Sequence, residues 1–205
     1  MRRHGPELLA LFAGGAVLAA VWLAGRGANP GPLGFPLDDA WIHMVYGHGL
    51  RESGFLAYNP GIPATGCTSP LWAVVLGLLH ALFDRPHQPG AVVPAVLVTG
   101  AVLHAVGIAA GVDLARRLSG RGSAAALAGL LLAAATPLAA AAFSGMEVAL
   151  TGALLLLGAR DVAAGAWLRA GIWLALAGLA RPEAAAVTLT LVAWAALRQW
   201  RRPAR

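Results

Sequence analysis

Charged residues and cysteines are both scarce in this chain of 205 residues. It has no lysine, 15 arginines and nine acidic residues, so charged residues make up 12% and hydrophobic residues 59%. Soluble domains carry about 25% charged residues, and these values therefore exclude a water-soluble globule and a disordered chain. The single cysteine, Cys67, excludes an internal disulfide and a cysteine-based metal site, and we expect it to be a packed thiol.

The net charge of +6 at first suggests a nucleic-acid partner. The arginines, however, lie between long apolar runs. Such an arrangement is typical of a membrane protein, so we expect membrane lipid, and not nucleic acid, to be the partner.

Three apolar runs approach the roughly 20 residues that cross a bilayer, namely Leu8–Gly25, Gly90–Val112 and Ser123–Phe143. The first is too long for a cleaved signal and follows Arg2 and Arg3, which predicts a retained helix with a cytoplasmic start. Shorter runs follow at Val148–Ala159, Ala170–Ala180 and Ala184–Leu197. Together these runs predict about six transmembrane helices.

A further apolar segment, Leu71–Phe83, follows Ser69 and Pro70, which resemble a capping hydroxyl and a first-turn proline. Its helix would reach about 20 Å, short of the ~30 Å hydrocarbon core. Whether it crosses the membrane or lies along the outer surface decides the topology of every later helix.

The arginines favour the surface position, because it leaves most of them in the cytoplasm, as the positive-inside rule requires. If the helix crosses, only Arg2, Arg3, Arg85 and Arg181 lie inside. If it lies on the surface, 11 arginines are cytoplasmic: 2, 3, 116, 117, 121, 160, 169, 198, 201, 202 and 205. We therefore predict an all-α polytopic protein, one membrane domain over 1–205, with both termini cytoplasmic, an external loop at 26–68 and an interfacial helix at 69–83.

The same topology places six of the nine acidic residues on the external side: Asp38, Asp39, Glu52, Asp84, Glu147 and Glu183. Three short motifs then meet at the external face: Asp38-Asp39, Ser144-Gly145-Met146-Glu147 and Arg181-Pro182-Glu183. Asp38 and Asp39 precede an apolar-rich helical turn or two at residues 40–46. They act either as capping acids at a helix start or as a general base for an incoming hydroxyl.

Five motifs in order carry a family resemblance: Asp38-Asp39-Ala40-Trp41-Ile42, Asn59-Pro60-Gly61, Gly66-Cys67-Thr68-Ser69-Pro70-Leu71-Trp72, Ser144-Gly145-Met146-Glu147 and Ala180-Arg181-Pro182-Glu183. The chain resembles the N-terminal half of GT-C fold glycosyltransferases, in the branch of mycobacterial arabinofuranosyltransferases and related bacterial enzymes. The resemblance covers residues 8 to 198. It implies a bacterial inner-membrane enzyme that uses polyprenyl-phosphate sugars and has helices lying on the outer surface.

In this resemblance, Asp38 or Asp39 is the catalytic base that activates the acceptor hydroxyl. The hydroxyl attacks the anomeric carbon of the donor, polyprenyl phosphate leaves, and the configuration inverts. Two adjacent acids also suit a division of roles between base and orienting group.

Arg181, Glu147, Glu183 and His43 are the candidate substrate-binding residues. Arg181 either grips the leaving phosphate or forms an ion pair with Glu183 or Glu147. Glu147 orients the sugar, pairs with Arg181 or caps a helix, and His43 shares a helical face with Asp39 or is simply packed or solvated. No metal or cofactor is expected, because spacing places no further ligand near Asp38, Asp39 and His43.

The chain departs from the family in two places. Tyr46-Gly47-His48-Gly49-Leu50 replaces the usual segment with an Arg-Asn pair, which puts a donor-binding arginine in doubt, and the family's later helices do not follow. Two other readings therefore stay open. One is a non-catalytic remnant or partner of a second membrane subunit, and the other is a small transporter component with its acids lining a pathway.

Overall fold

The computed structural model describes residues 5–28, 31–85 and 90–200. Helices make up 77% of it and strands 3%. Arg2, Arg3 and arginines 201, 202 and 205, like both termini, lie outside the described residues, so their predicted cytoplasmic side is not addressed by this structure.

The helices are α1 Gly5–Ala28, α2 Asp38–Ser53, α3 Pro70–Phe83, α4 Val93–Ser119, α5 Gly122–Ala134, α6 Thr136–Ala142, α7 Val148–Ala163, α8 Trp167–Ala180 and α9 Ala184–Trp200. The strands β1 Ala57–Asn59 and β2 Ile62–Pro63 form an antiparallel hairpin. The chain is therefore helical but not strictly all-α. The helix predicted as a turn or two at 40–46 extends over 16 residues.

Among the described helices, α1 and α4 are long and apolar enough to cross a membrane. The bent pair α5 and α6 makes a third if it counts as one span, and α3, α8 and most of α9 are apolar but shorter. These helices fit a membrane protein with two or three spans. The arrangement with six spans stays a prediction.

The run at 123–143 was expected to form one helix, and that expectation was wrong. The chain leaves helical geometry at Ala135 (φ −70°, ψ 83°), and α5 and α6 are bent by 59°. Pro137 lies in the first turn of α6. It has no N–H for the carbonyl four residues earlier, and its ring clashes with that carbonyl, so a straight helix cannot continue.

The bundle is centred on α4 and α7, with α8 against α7 and with α1 against α4 and α5. Its main core contains buried Trp72, Leu76, Val96 and Leu150. Gly100 permits a close approach of α4 to the carbonyl of Ala142, which a Cβ at Gly100 would overlap. Small residues thus set how near the central helices lie.

The helices α2 and α3 form a parallel pair on one side of this bundle. Gly47 of α2 packs against Leu76 and Gly77 of α3, where a Cβ would lie 2.5 Å from the Leu76 Cβ. Ser69 is at the N-cap position, as predicted, but its hydroxyl makes no cap bond and donates instead to the Ala180 carbonyl at 2.6 Å. The start of α3 is thereby fixed to the end of α8.

At the far end of α7, Asp161 is buried among cationic and indole partners. Its carboxylate lies 2.9 Å from Arg160 Nη2 and 3.4 Å from Arg169 Nε, and it accepts a hydrogen bond of 3.1 Å from Trp173 Nε1. Because Arg160 and Asp161 belong to α7 and Arg169 and Trp173 belong to α8, the cluster holds that helical hairpin together.

Candidate functional site

The motifs identified in the sequence meet at one end of the bundle. Trp72, in the first turn of α3, donates its indole N–H to the Gly145 carbonyl at 3.0 Å. The same α3 start binds Ala180, next to Arg181, through Ser69. The start of α3, the α6–α7 connection and the α8–α9 connection are thus joined by buried hydrogen bonds.

Glu147 is buried at the centre of this region, just before α7. Its Oε2 lies 3.2 Å from Nε2 of His43, and its Oε1 lies 3.3 Å from Nη1 of Arg181. The contact with His43 is close, but Glu147 Oε2 makes no well-aligned hydrogen bond. Glu183 completes the group, since its Oε2 lies 3.4 Å from Arg181 Nε.

All four predicted substrate-binding residues therefore come together, as a cluster of His43, Glu147, Arg181 and Glu183 that we call the Glu147 cluster. Arg181 forms ion pairs with both Glu147 and Glu183, which were the structural alternative to phosphate binding. Glu147 occupies the N-cap position of α7 without a side-chain cap bond, so its carboxylate pairs with the cations instead. His43 is packed in the interior and not solvated.

Burial and neighbouring charges act in opposite directions on this cluster. Burial lowers the pKa of His43, but Cys67 and the carboxylate of Glu147 outweigh it and raise that pKa to about 9. Burial raises the pKa of Glu147, but His43 and Arg181 leave it lower than usual. At neutral pH the cluster is thus an imidazolium, a guanidinium and carboxylates.

Asp38 and Asp39 lie in the first turn of α2, one turn before His43, and both are exposed. The N-cap residue is Leu37, with no side-chain cap bond. Within the described part of the chain, neither aspartate side chain makes a hydrogen bond or an ion pair. The structure therefore sets them beside the Glu147 cluster without joining them to it, and both carboxylates face outward.

Phe35 is a site residue that the sequence analysis missed. Its ring lies against Gly145, where an added Cβ would come within 2.5 Å of it, and it contacts Trp41 at 5.0 Å between ring centroids. Phe35 thus links the Asp38-Asp39 helix to the loop that carries Glu147. A single aromatic residue in a loop gives no local signal of such a contact.

Gly145 should not tolerate a side chain. Its φ of 78° is left-handed, and a methyl group would strike Phe35. We expect Gly145→Ala to lower the free energy of unfolding by about 2–4 kcal/mol. The measurement is SDS titration of the purified protein in mixed micelles.

Gly152→Ala in α7 is the matched control, because nothing lies within 4 Å of the added Cβ and alanine favours helix. It should leave stability unchanged or slightly raised. Equal stability of the Gly145→Ala variant and the native chain would contradict the role given to this glycine.

An apolar groove of about 530 Å³ opens between α1 and α4. Trp22, Leu97 and Val102 line its walls, together with Leu33 and Phe143. Phe143 precedes the loop that carries Glu147, and Leu33 lies two residues before Phe35. Two residues of the groove are thus close in sequence to residues of the candidate site.

Across residues 5–28, 31–85 and 90–200, no group of three His, Cys, Asp or Glu side chains has the arrangement of a metal site. The Glu147 cluster can bind polar groups through Arg181, and the exposed Asp38 and Asp39 nearby can accept protons. The chain matches no protein-family model, no curated protein and no solved structure.

Proposed function

We propose that this protein transfers a sugar from a polyprenyl-phosphate donor to an acceptor hydroxyl on the external face of the bacterial inner membrane. The observation that carries the proposal is the Glu147 cluster, which has exposed aspartates within one helical turn of His43 and an apolar groove whose residue Phe143 lies four positions before Glu147. A lipid-linked sugar needs these three surroundings together: apolar walls for its tail, cations for its phosphate and a base for the acceptor.

In this mechanism Asp38 or Asp39 takes the proton of the acceptor hydroxyl as its oxygen attacks the anomeric carbon. The bond from that carbon to the phosphate oxygen breaks, its electron pair stays with polyprenyl phosphate, and the configuration inverts. Arg181, whose side chain is 39% exposed, faces the leaving phosphate. Glu183 is 73% exposed, so its ion pair with Arg181 is weak and exchanges readily for a phosphate oxygen.

The isoprenoid tail of the donor occupies the groove between α1 and α4. The walls are almost wholly apolar, so they suit a hydrocarbon tail that enters from the bilayer. The phosphate then lies near Phe143, and so near the loop that carries Glu147.

In the proposed topology, six helices cross, α3 lies along the outer surface and both termini are cytoplasmic. The exposed side of α3 carries Val74, Leu78 and Leu82, an apolar stripe suited to lipid. Arginines 116, 117, 121, 160 and 169 lie in and around the turns after α4 and α7, and 160 and 169 are at the ends of α7 and α8 opposite to Glu147 and Arg181.

Thiol labelling tests this topology in a chain whose Cys67 is replaced by Ser. We expect Ser123→Cys, at the start of α5, to resist an impermeant thiol reagent in intact cells. Thr65→Cys, in the predicted external loop, is the matched control and should react; both positions are exposed. Labelling at position 123 as fast as at position 65 would mean that α3 crosses the membrane.

The decisive experiment is sugar transfer by the purified chain in lipid vesicles. Radiolabelled polyprenyl-phosphate pentoses and hexoses are offered with a mixture of glycan acceptors, and labelled product and released polyprenyl phosphate are measured together. The proposal requires equal amounts of the two. Absence of both with every donor would refute activity of this chain by itself.

A non-catalytic partner subunit is the second candidate. It is favoured by Arg181, whose charge is already balanced by Glu147 and Glu183. In this reading the Glu147 cluster is structural, and a second membrane subunit supplies the phosphate-binding cations. Transfer that appears only when a second membrane protein is reconstituted with this chain would select this candidate.

A further inference from the structure

A second group of titratable side chains joins α2 and α3 at their C-terminal ends. Asp84 Oδ2 lies 3.7 Å from His80 Nδ1, 3.8 Å from His48 Nε2 and 3.9 Å from Arg51 Nη1. The rings of His48 and His80 meet edge to face with centroids 5.3 Å apart. We call His48, Arg51, His80 and Asp84 the His80 group.

His80 is the unusual member of the group. It is buried, and neither ring nitrogen makes a well-aligned hydrogen bond with another described residue. Among the described residues, the charged or titratable groups facing it are His48 and Asp84, with Arg51 reaching it through Asp84 and pairing also with Glu52. The described parts of α4 and α8, which also pack on α3, place no ion pair on His80.

We propose that the His80 group is an acid-sensitive latch, which holds the C-terminal halves of α2 and α3 together while His80 is neutral and releases them when it is protonated. The geometry points to release because a proton on His80 would be buried beside a second imidazole. Since α2 also carries Asp38, Asp39 and His43, a change in its packing on α3 would reach the candidate site.

The direction of the pH effect follows from the surroundings of His80. Burial, and then His48, lower the pKa of His80 below its ordinary 6.5, and Asp84 only partly opposes them. The contribution of neutral His80 to α2–α3 pairing is therefore fully present above pH 6.5. It is lost as the pH falls from 6.5 through the lowered pKa of the closed pair.

Hydrogen exchange of the full chain in detergent micelles tests the latch. Amide exchange, corrected for its intrinsic pH dependence, is followed from pH 7.5 to pH 4.5 in peptides covering 47–53 and 76–84. We expect exchange in both to become about 10-fold faster across this range, the factor that corresponds to one pKa unit. Exchange that stays constant in both peptides would overturn the proposal.

Replacing His48 or Asp84 should shift the midpoint pH of the exchange transition, which would not happen if His80 had a purely structural role. His48→Gln removes the second imidazole beside His80, which lowers the pKa of His80, and should move the midpoint of the transition to higher pH. Asp84→Asn removes the carboxylate that favours protonation and should move it to lower pH. Shifts in the same direction, or none, would overturn the assignment to His80.

His80→Leu should abolish the transition, and His104→Leu should keep it. His104 is the matched control, because it is also buried, with Nε2 unpartnered, but it lies in α4 away from the His80 group. Loss of the transition in the His104→Leu chain, or its survival in the His80→Leu chain, would refute the latch.

Discussion

Replacing Asp38 and Asp39 together by Asn is expected to lower the rate of sugar transfer by about 10²–10⁴-fold, the usual contribution of a general base. Asn keeps the size and polarity of each side chain but cannot take up a proton. Because both aspartates are exposed and make no ion pair with another described residue, the fold should survive the change. The measurement is product formation in vesicles, with the SDS unfolding transition checked alongside.

The single variants then divide the roles of the two acids. The variant that loses nearly all activity identifies the base, and a smaller loss marks the residue that orients the acceptor. Glu52→Gln is the matched control, because Glu52 is an exposed acid in the last turn of the same helix. Full activity of the double variant would show that neither aspartate is catalytic.

The sequence predicted most helices because their signals are local. Every apolar run except 123–143 formed one helix, and Pro70 marked the start of α3 as expected. The break at Ala135 was also a local matter, signalled by Pro137, but the uniformly apolar run on both sides concealed it. The β1–β2 hairpin was missed because its strands are only three and two residues long.

The candidate site could be predicted from the sequence only in part. The predicted topology alone placed the Asp38-Asp39, Glu147 and Arg181 motifs on one face of the membrane, because the positive-inside rule assigns each loop to a side. It could not give the contact of His43 with Glu147, because these residues are distant in sequence and meet only through the packing of α2 beside α3 and α7. The sequence likewise favoured a capping role for the Ser69 hydroxyl, because it does not show that the Ala180 carbonyl lies within hydrogen-bond distance.

Removing the carboxylate of Glu147 should have the largest effect on stability. Glu147→Gln leaves the buried His43 imidazolium without its counter-charge, and we expect the free energy of unfolding at pH 7 to fall by about 3 kcal/mol. Arg181→Gln should cost about 1 kcal/mol or less, because Arg181 is partly exposed and His43 still compensates Glu147. SDS titration in mixed micelles measures both changes in the free energy of unfolding.

The pH dependence distinguishes loss of this ion pair from loss of packing. With its pKa raised to about 9, His43 contributes stability that is fully present below its ordinary 6.5 and is lost as the pH rises through about 9. The native chain should therefore weaken between about pH 6.5 and 9, whereas the Glu147→Gln chain, in which Cys67 alone still favours the protonated imidazole, should weaken much less there. In a double-mutant cycle of Glu147→Gln with His43→Gln, most of the loss in the free energy of unfolding should appear as coupling energy between the two residues. Parallel pH profiles of the native and Glu147→Gln chains would show that Glu147 acts through packing and not through the charge of His43.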